Sequence, residues 1–345
     1  MHEAMLYDKL SNSRVRCGTC QWRCTIGPGR FGVCKMYQNR GGVLYNMNYA
    51  KASSVAVDPI EKKPLFHFFP GSLAFSVGGW GCNFHCQDCQ NWEISCVEIA
   101  ETPRGSREIQ PQAAIELAKR HQCQGIAWTY NEPTMWFEYT LDSAKLAKEN
   151  DLYTVYVTNG FLTPEALDTI GPYLDAWRVD VKGFTDSFYR KLAKISHWRG
   201  ILAVAQRAKA KWNMHVEVIT NIIPTMNDDD QQLECIANWI LSELGELTPW
   251  HVTRFHPHHY MADLLPTPIS TLEHAHDIGK KAGLKFVYIG NVPGHKGENT
   301  YCYSCGKLII ERFGYHSKVV GLEGSRCKFC RAELNFRTPG MERRV

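Results

Sequence analysis

The chain has 345 residues, 44% of them hydrophobic, with 39 Lys and Arg against 35 Asp and Glu for a formal charge of +4. That length suits one large α/β domain or two medium ones with a real core, and the near balance of charge, without dense Lys/Arg runs, excludes a strongly basic nucleic-acid-binding character. No apolar run reaches about 18 residues, and Met1–Leu10 carries acidic residues in place of an apolar signal core, so the chain reads as cytoplasmic with no membrane span.

Residues 1–70 are irregular and Gly-rich. They carry the first of three tight cysteine sets, Cys17, Cys20, Cys24 and Cys34. Of the 14 cysteines only Cys96, Cys123 and Cys235 lie outside these sets. Spacings of two or three residues suit thiolates converging on a metal better than disulfides, whereas the three outliers read as buried thiols acting as small apolar side chains. For the first set, zinc and an auxiliary [4Fe–4S] cluster both satisfy the spacing, and the reading leans to zinc.

Residues 71–294 alternate strand and helix patterns. Short apolar runs predict strands at 73–77, 125–129, 153–158, 176–181, 215–223, 251–256 and 286–289. Helical patterns lie at 111–121, 137–149, 164–174, 198–212, 229–244 and 270–282. Thr163-Pro164 and Ser270 mark helix starts, and Gly283 marks a stop. This order predicts a parallel sheet with crossover helices, curled into a partial or full (β/α) TIM-like barrel. Ligands of such barrels sit at the C-terminal strand ends, where Asn131-Glu132, Thr158-Asn159, Asp180, Lys182, Asn221, His256 and Asn291 gather. Alternation along 215–223 places His215, Glu217 and Asn221 on one face, so an inward face would bring Glu217 and Asn221 to the site. His256 is a further candidate.

The second cysteine set, Cys82-x3-Cys86-x2-Cys89, follows the first strand of that repeat. Three thiolates on so short a loop can hold three irons of a cubane and leave the fourth open to a chelating cofactor. Spacing also admits zinc, closed by a histidine such as His85. Residues 295–345 carry the third set, Cys302-x2-Cys305 with Cys327-x2-Cys330. This is a zinc-ribbon spacing with an iron–sulfur cluster as the alternative, and the metal would staple a small subdomain.

The C-x3-C-x2-C loop after the first strand resembles the signature of the radical S-adenosylmethionine (SAM) superfamily. Further blocks resemble the radical enzyme of the AmmeMemoRadiSam system, a relative of the pyruvate formate-lyase activating enzymes. They include Asp58–His67, Gly81–Ser95, Tyr130–Thr134, Thr158–Phe161, Asp180-Val181-Lys182, Arg254–Pro257 and Asn299–Cys302. The resemblance implies a radical SAM barrel and a [4Fe–4S] cluster on Cys82, Cys86 and Cys89. It also implies reductive cleavage of SAM to a 5′-deoxyadenosyl radical that abstracts hydrogen from a substrate. Asn131 and Glu132 would then meet the methionine moiety, Glu132 taking the ammonium, and Thr158 and Asn159 would approach the ribose or carboxylate. Asp180 and Lys182 would line the cofactor and substrate site. Asp88 departs from the pattern, since an aromatic residue usually precedes the third cysteine and shields the adenine; Trp92 is the candidate replacement.

An electron donor such as flavodoxin or ferredoxin is expected, and the family name implies association with Memo-type and AMMECR-type proteins. Three functions remain open: direct modification of a small molecule, peptide or RNA; activation of a glycyl-radical enzyme; and a zinc-stabilised scaffold without catalysis.

Overall fold

The structure, a computed structural model, describes residues 1–99 and 105–340. Its centre is one sheet of eight strands: β1 (Ser54–Pro59), β2 (Leu73–Gly78), β3 (Gly125–Trp128), β4 (Tyr153–Thr158), β5 (Ala176–Asp180), β6 (His215–Ile222), β7 (Trp250–Arg254) and β8 (Val287–Gly290). They lie side by side in chain order, β2 to β8 parallel and β1 antiparallel on the edge of β2. The two edges do not pair, so the barrel is partial. Because β1 joins this sheet, the barrel begins ahead of the expected boundary at residue 71.

The crossover helices follow from local chemistry. They are α1 (Pro111–Arg120), α2 (Phe137–Glu149), α3 (Pro164–Ile170), α4 (Asp186–Leu192), α5 (Arg199–Ala210), α6 (Asp230–Trp239) and α7 (Ile269–Ala282). Thr163 caps α3 by accepting from the Ala166 N–H at 3.1 Å, with Pro164 at the first helical position. Gly283 stops α7 with φ 112°, a backbone that only glycine adopts without strain. Ser270 is not the cap: α7 starts at Ile269 after Pro268. Helix α4 was not expected. It is short, and Thr185 rather than an apolar period defines its start. Trp128, Tyr156, Trp177 and Trp250 of the strands are buried together with Ala114, Leu141 and Ile201 of the helices, each large side chain contributing about 1.5–3 kcal/mol.

Two small antiparallel sheets from residues 2–46 sit against α2. The buried Glu138 of α2 ties them down by accepting from Tyr37 Oη at 2.9 Å, Asn46 Nδ2 at 2.7 Å and the Met5 N–H at 3.1 Å. At the other side, Cys302 and Cys327 share an apolar cluster with Phe66, Phe286 and Tyr288. The buried Arg312 donates to the Phe66 carbonyl at 2.8 Å and lies 4.1 Å over its ring, fastening the C-terminal ribbon to the barrel. Among the described residues no helix is long and apolar enough to cross a membrane.

Candidate active site

The site is built on the turn that leaves β2. Asn131 clamps it, Oδ1 accepting from the Gly79 N–H at 3.0 Å and Nδ2 donating to the Gly81 carbonyl at 2.8 Å. A Cβ on Gly79 would meet the Trp136 ring at 2.4 Å, and Gly81 turns the chain with φ +78°. Asn131 is therefore a brace for the cysteine loop. The loop docks on the end of α4, with the His85 and Gln87 N–H groups donating to Ala193 and Leu192 carbonyls. His85 is exposed on this loop.

Cys82, Cys86 and Cys89 are partly buried, and burial pushes all three thiols above their ordinary range. Thiolates persist in such a place only when positive charge compensates them, as metal bonding does. Cys82 Sγ accepts from the Phe84 N–H at 3.4 Å and faces Asn159 Nδ2 at 3.7 Å. Asn159 Nδ2 also donates to Asn83 Oδ1 at 2.8 Å. Among the described residues, Cys302, Cys305, Cys327 and Cys330 are the group whose ligand atoms all lie within 4.8 Å of one another. The central thiols are not drawn together so tightly. Three cysteines on one short loop can bind three irons of a cubane, with the fourth iron unliganded by the chain.

Residues 78–234 match the Radical SAM superfamily. Over nearly its full length the chain is 44% identical to the "Uncharacterized protein MJ0808" of Methanocaldococcus jannaschii, covering 97% of this chain and 99% of that one. The chain belongs to the radical SAM superfamily. The enzyme is more distantly similar to a second M. jannaschii protein whose name points to glycyl-radical enzyme activation, at 25% identity over 47% of this chain and 60% of that one. Its fold is shared with a radical SAM methyltransferase from Sphaerobacter thermophilus, at TM-score 0.51, 14% identity and coverage of 67% of this chain and 71% of that one.

Within this radical SAM enzyme, Glu132 is a buried hub rather than an open acceptor. Its carboxylate takes the Thr134 N–H at 3.0 Å, the Thr134 hydroxyl, Thr158 Oγ1 at 2.8 Å and the Asn159 N–H at 2.8 Å. Burial still pushes its carboxyl up, against these hydrogen bonds. The expected acceptor for an ammonium is thus already engaged by Thr134, Thr158 and Asn159, mostly through Oε1, while Oε2 takes the Asn159 N–H and a share of the Thr158 hydroxyl. Trp92 is 39% exposed and stacks on His259 at 5.0 Å, so one of its faces is already taken. His256 is exposed just beyond β7.

Asp180, Lys182 and Asn221 do converge on the cysteine loop. Lys182 Nζ lies 3.7 Å from Asp180 Oδ2, and Arg178 holds the other carboxylate oxygen at 2.6 Å. Burial pulls the Lys182 ammonium down, but Asp180, Cys86 and Asp88 together raise it beyond its ordinary value, so it stays charged. Asn221 Nδ2 reaches Asp88 Oδ2 at 3.5 Å, and Asp88 Oδ1 is buried without a partner among the described residues. Glu217 does not reach this mouth: it points toward the opposite end of the barrel, bonded to the N–H groups of Phe66 and His67. Arg178 and Asn83 were missed. Arg178 shares a strand face with Asp180, so alternation along β5 was the available signal. Cys96, expected to be buried, is exposed.

Proposed function

We propose that the enzyme modifies a polar substrate directly, at the mouth of the barrel between Asp180, Lys182 and Asn221, as the radical member of the AmmeMemoRadiSam group. The observation that carries this reading is the Lys182–Asp180 pair, held partly buried beside Cys86. The pair offers a charged and a hydrogen-bonding group to a polar substrate at the mouth, and the same pair matches a motif of the activating enzymes, so it leaves the glycyl-radical reading open. The cluster on Cys82, Cys86 and Cys89, with bound SAM, supplies a carbon-centred radical for hydrogen abstraction. The chain's own residues orient the reactants and exclude water: Asn131 and Glu132 fix the loops around the cluster, Asp88 and Asn221 face one another across the mouth, and Lys182 contributes a permanent positive charge.

An electron donor such as flavodoxin or ferredoxin, Memo-type and AMMECR-type partners, and a cytoplasmic setting belong to the same proposal. Activation of a glycyl-radical enzyme is the second reading, favoured by the similarity to proteins bearing activating-enzyme names. The test is anaerobic turnover with dithionite, SAM and deuterated cell extract. Deuterium appearing in 5′-deoxyadenosine with the small-molecule fraction supports direct modification of a metabolite. Transfer only with the protein fraction overturns that and supports the activase reading.

We further propose that the C-terminal set holds zinc. Its Sγ pairs Cys302–Cys330 and Cys305–Cys327 stand 3.6 and 3.7 Å apart, close to the roughly 3.8 Å that tetrahedral Zn–S bonds of about 2.3 Å require. Zinc analysis of Cys305→Ala checks this: retained zinc at the wild-type content would refute it.

A further inference from the structure

The near balance of charge over the whole chain conceals an asymmetry. Residues 295–345 hold 10 of the 39 Lys and Arg but 5 of the 35 Asp and Glu, a net charge of +5 against −1 for the rest of the chain. Part of this charge stands beside exposed aromatic rings. Tyr303 sits between Cys302 and Cys305, and Phe329 between Cys327 and Cys330. The four sulfurs lie within 4.8 Å of one another, so both rings are carried at one tip of the ribbon. Tyr301, Tyr303 and Phe329 are 44%, 40% and 43% exposed, a grouping of exposed apolar area of the kind that marks an interaction site. Lysines attend the rings. Lys307 Nζ and Lys328 Nζ lie 4.5 and 5.3 Å from the Phe329 ring centre, and Lys285 Nζ lies 5.7 Å from that of Tyr303.

A groove of about 490 Å³ continues from this tip along β8, between α7 and residues 295–301. Lys280, Lys285 and Lys296 line it together with Phe286, Tyr288 and Tyr301. Lys285 belongs to both parts, since it lines the groove and stands over Tyr303, whose ring meets Phe286 edge-on at 6.0 Å. Two carboxylates also face the groove, Glu273 and Asp277, and each has a histidine partner: His295 Nε2 at 3.3 Å and His276 Nδ1 at 3.0 Å. Lys285 is shared with Glu246 at 3.2 Å. Lys280 donates to the Lys285 carbonyl at 2.8 Å, and neither it nor Lys296, Lys307 or Lys328 pairs with a carboxylate among the described residues. Cations without carboxylates beside exposed rings suit a ligand that alternates an anion with a flat π-face. A single-stranded nucleic acid is such a ligand: its phosphates meet lysines and its bases stack on aromatic side chains. We propose that the ribbon tip and this groove form a binding site for single-stranded nucleic acid, with Tyr303 and Phe329 as stacking platforms and Lys280, Lys296 and Lys307 on the phosphates.

Binding at this surface is independent of the radical chemistry at the cysteine loop and is tested without it. The full chain, purified anaerobically, is titrated against a fluorescent oligoadenylate of about 12 nucleotides and against labelled polyglutamate of equal charge, with anisotropy as the readout. The oligoadenylate should bind the tighter of the two, with an affinity that falls as salt rises. Tyr303→Ala combined with Phe329→Ala should weaken it about tenfold or more at unchanged metal content. Lys296→Ala combined with Lys307→Ala, both at exposed positions, should lower the salt slope by roughly 1.4, the share of two phosphates on a single strand. That second variant keeps the test decisive if the ring variant loses its metal. Absence of oligoadenylate binding at about 100 µM protein would overturn the proposal. Wild-type affinity and salt slope in both variants would overturn it too, by placing the oligonucleotide elsewhere on the chain. Polyglutamate bound as tightly as oligoadenylate would assign the surface to an acidic protein instead.

Discussion

Glu217, low in the barrel, and Asp88, at its mouth, are both carboxylates with less than a tenth of their surface exposed. Glu217 accepts from the Phe66 and His67 N–H groups at 3.0 and 2.8 Å and from His215 and His251 Nε2 at 2.9 and 2.6 Å. Burial alone would raise its carboxyl, but these donors hold it well below the usual range. His251 is itself held down by burial, so the pair is a carboxylate with a neutral imidazole donor. Asp88 has one long contact to Asn221 and an oxygen with no partner among the described residues. A buried anion with every lone pair used is structure. Asp88 Oδ1, beside the cysteine loop, has no such donor among the described residues.

The widest separation between the two regions should come from the cysteine loop. Cys86→Ala is expected to abolish 5′-deoxyadenosine formation while the metal content of the C-terminal set and the melting temperature stay near wild type; residual turnover within tenfold of wild type would undo the radical assignment. Glu217→Gln should do the reverse. It places an amide among groups that all donate, for a loss of about 3–5 kcal/mol in denaturant unfolding. Wild-type stability in that variant would erase the distinction between the two carboxylates.

Acid should find the lower region first. Burial pushes His67 down to about 3, and His251 is also lowered, whereas both titrate near 6.5 in an unfolded chain. Between those values the unfolded state binds protons that the native state refuses, so stability falls as pH drops through that window. Glu217, depressed in the folded state, adds to the loss once pH falls below its unfolded value of about 4.5. From pH 7 to pH 5 the histidines should remove roughly 2–4 kcal/mol. A flat profile of unfolding free energy over that range would mean that the histidine network is hydrated and open.

Much of this was legible in the sequence because it is local. Short apolar runs gave the seven parallel strands within a residue or two, and Thr163-Pro164 and Gly283 marked helix ends by chemistry contained in a few residues. Burial partners across the barrel were not legible. Alternation correctly put Glu217 and Asn221 on one face, yet it carries no information on height, and the Phe66–His67 segment that claims Glu217 lies 150 positions away. The partners that Glu132 meets were not legible for the same reason, since Thr158 and Asn159 stand at the end of the next strand. Cysteine spacing gave the three sets but not the separation of their sulfurs, which depends on how hairpins fold over one another.

Asp88→Asn gives the smallest effect and the finest discrimination. The substitution keeps size and shape, retains an acceptor toward Asn221, and removes the charge that helps keep Lys182 protonated. If Asp88 acts on the reactants through its unpartnered oxygen or through Lys182, turnover should fall about tenfold, equivalent to about 1.4 kcal/mol, with melting unchanged. The loss should be larger with Lys182→Met and should not add to it in the double variant, because the two groups share one electrostatic partnership. Full additivity would assign Asp88 a contact independent of Lys182. Lost stability without lost turnover would place Asp88 with Glu217 among the carboxylates that only hold the barrel together.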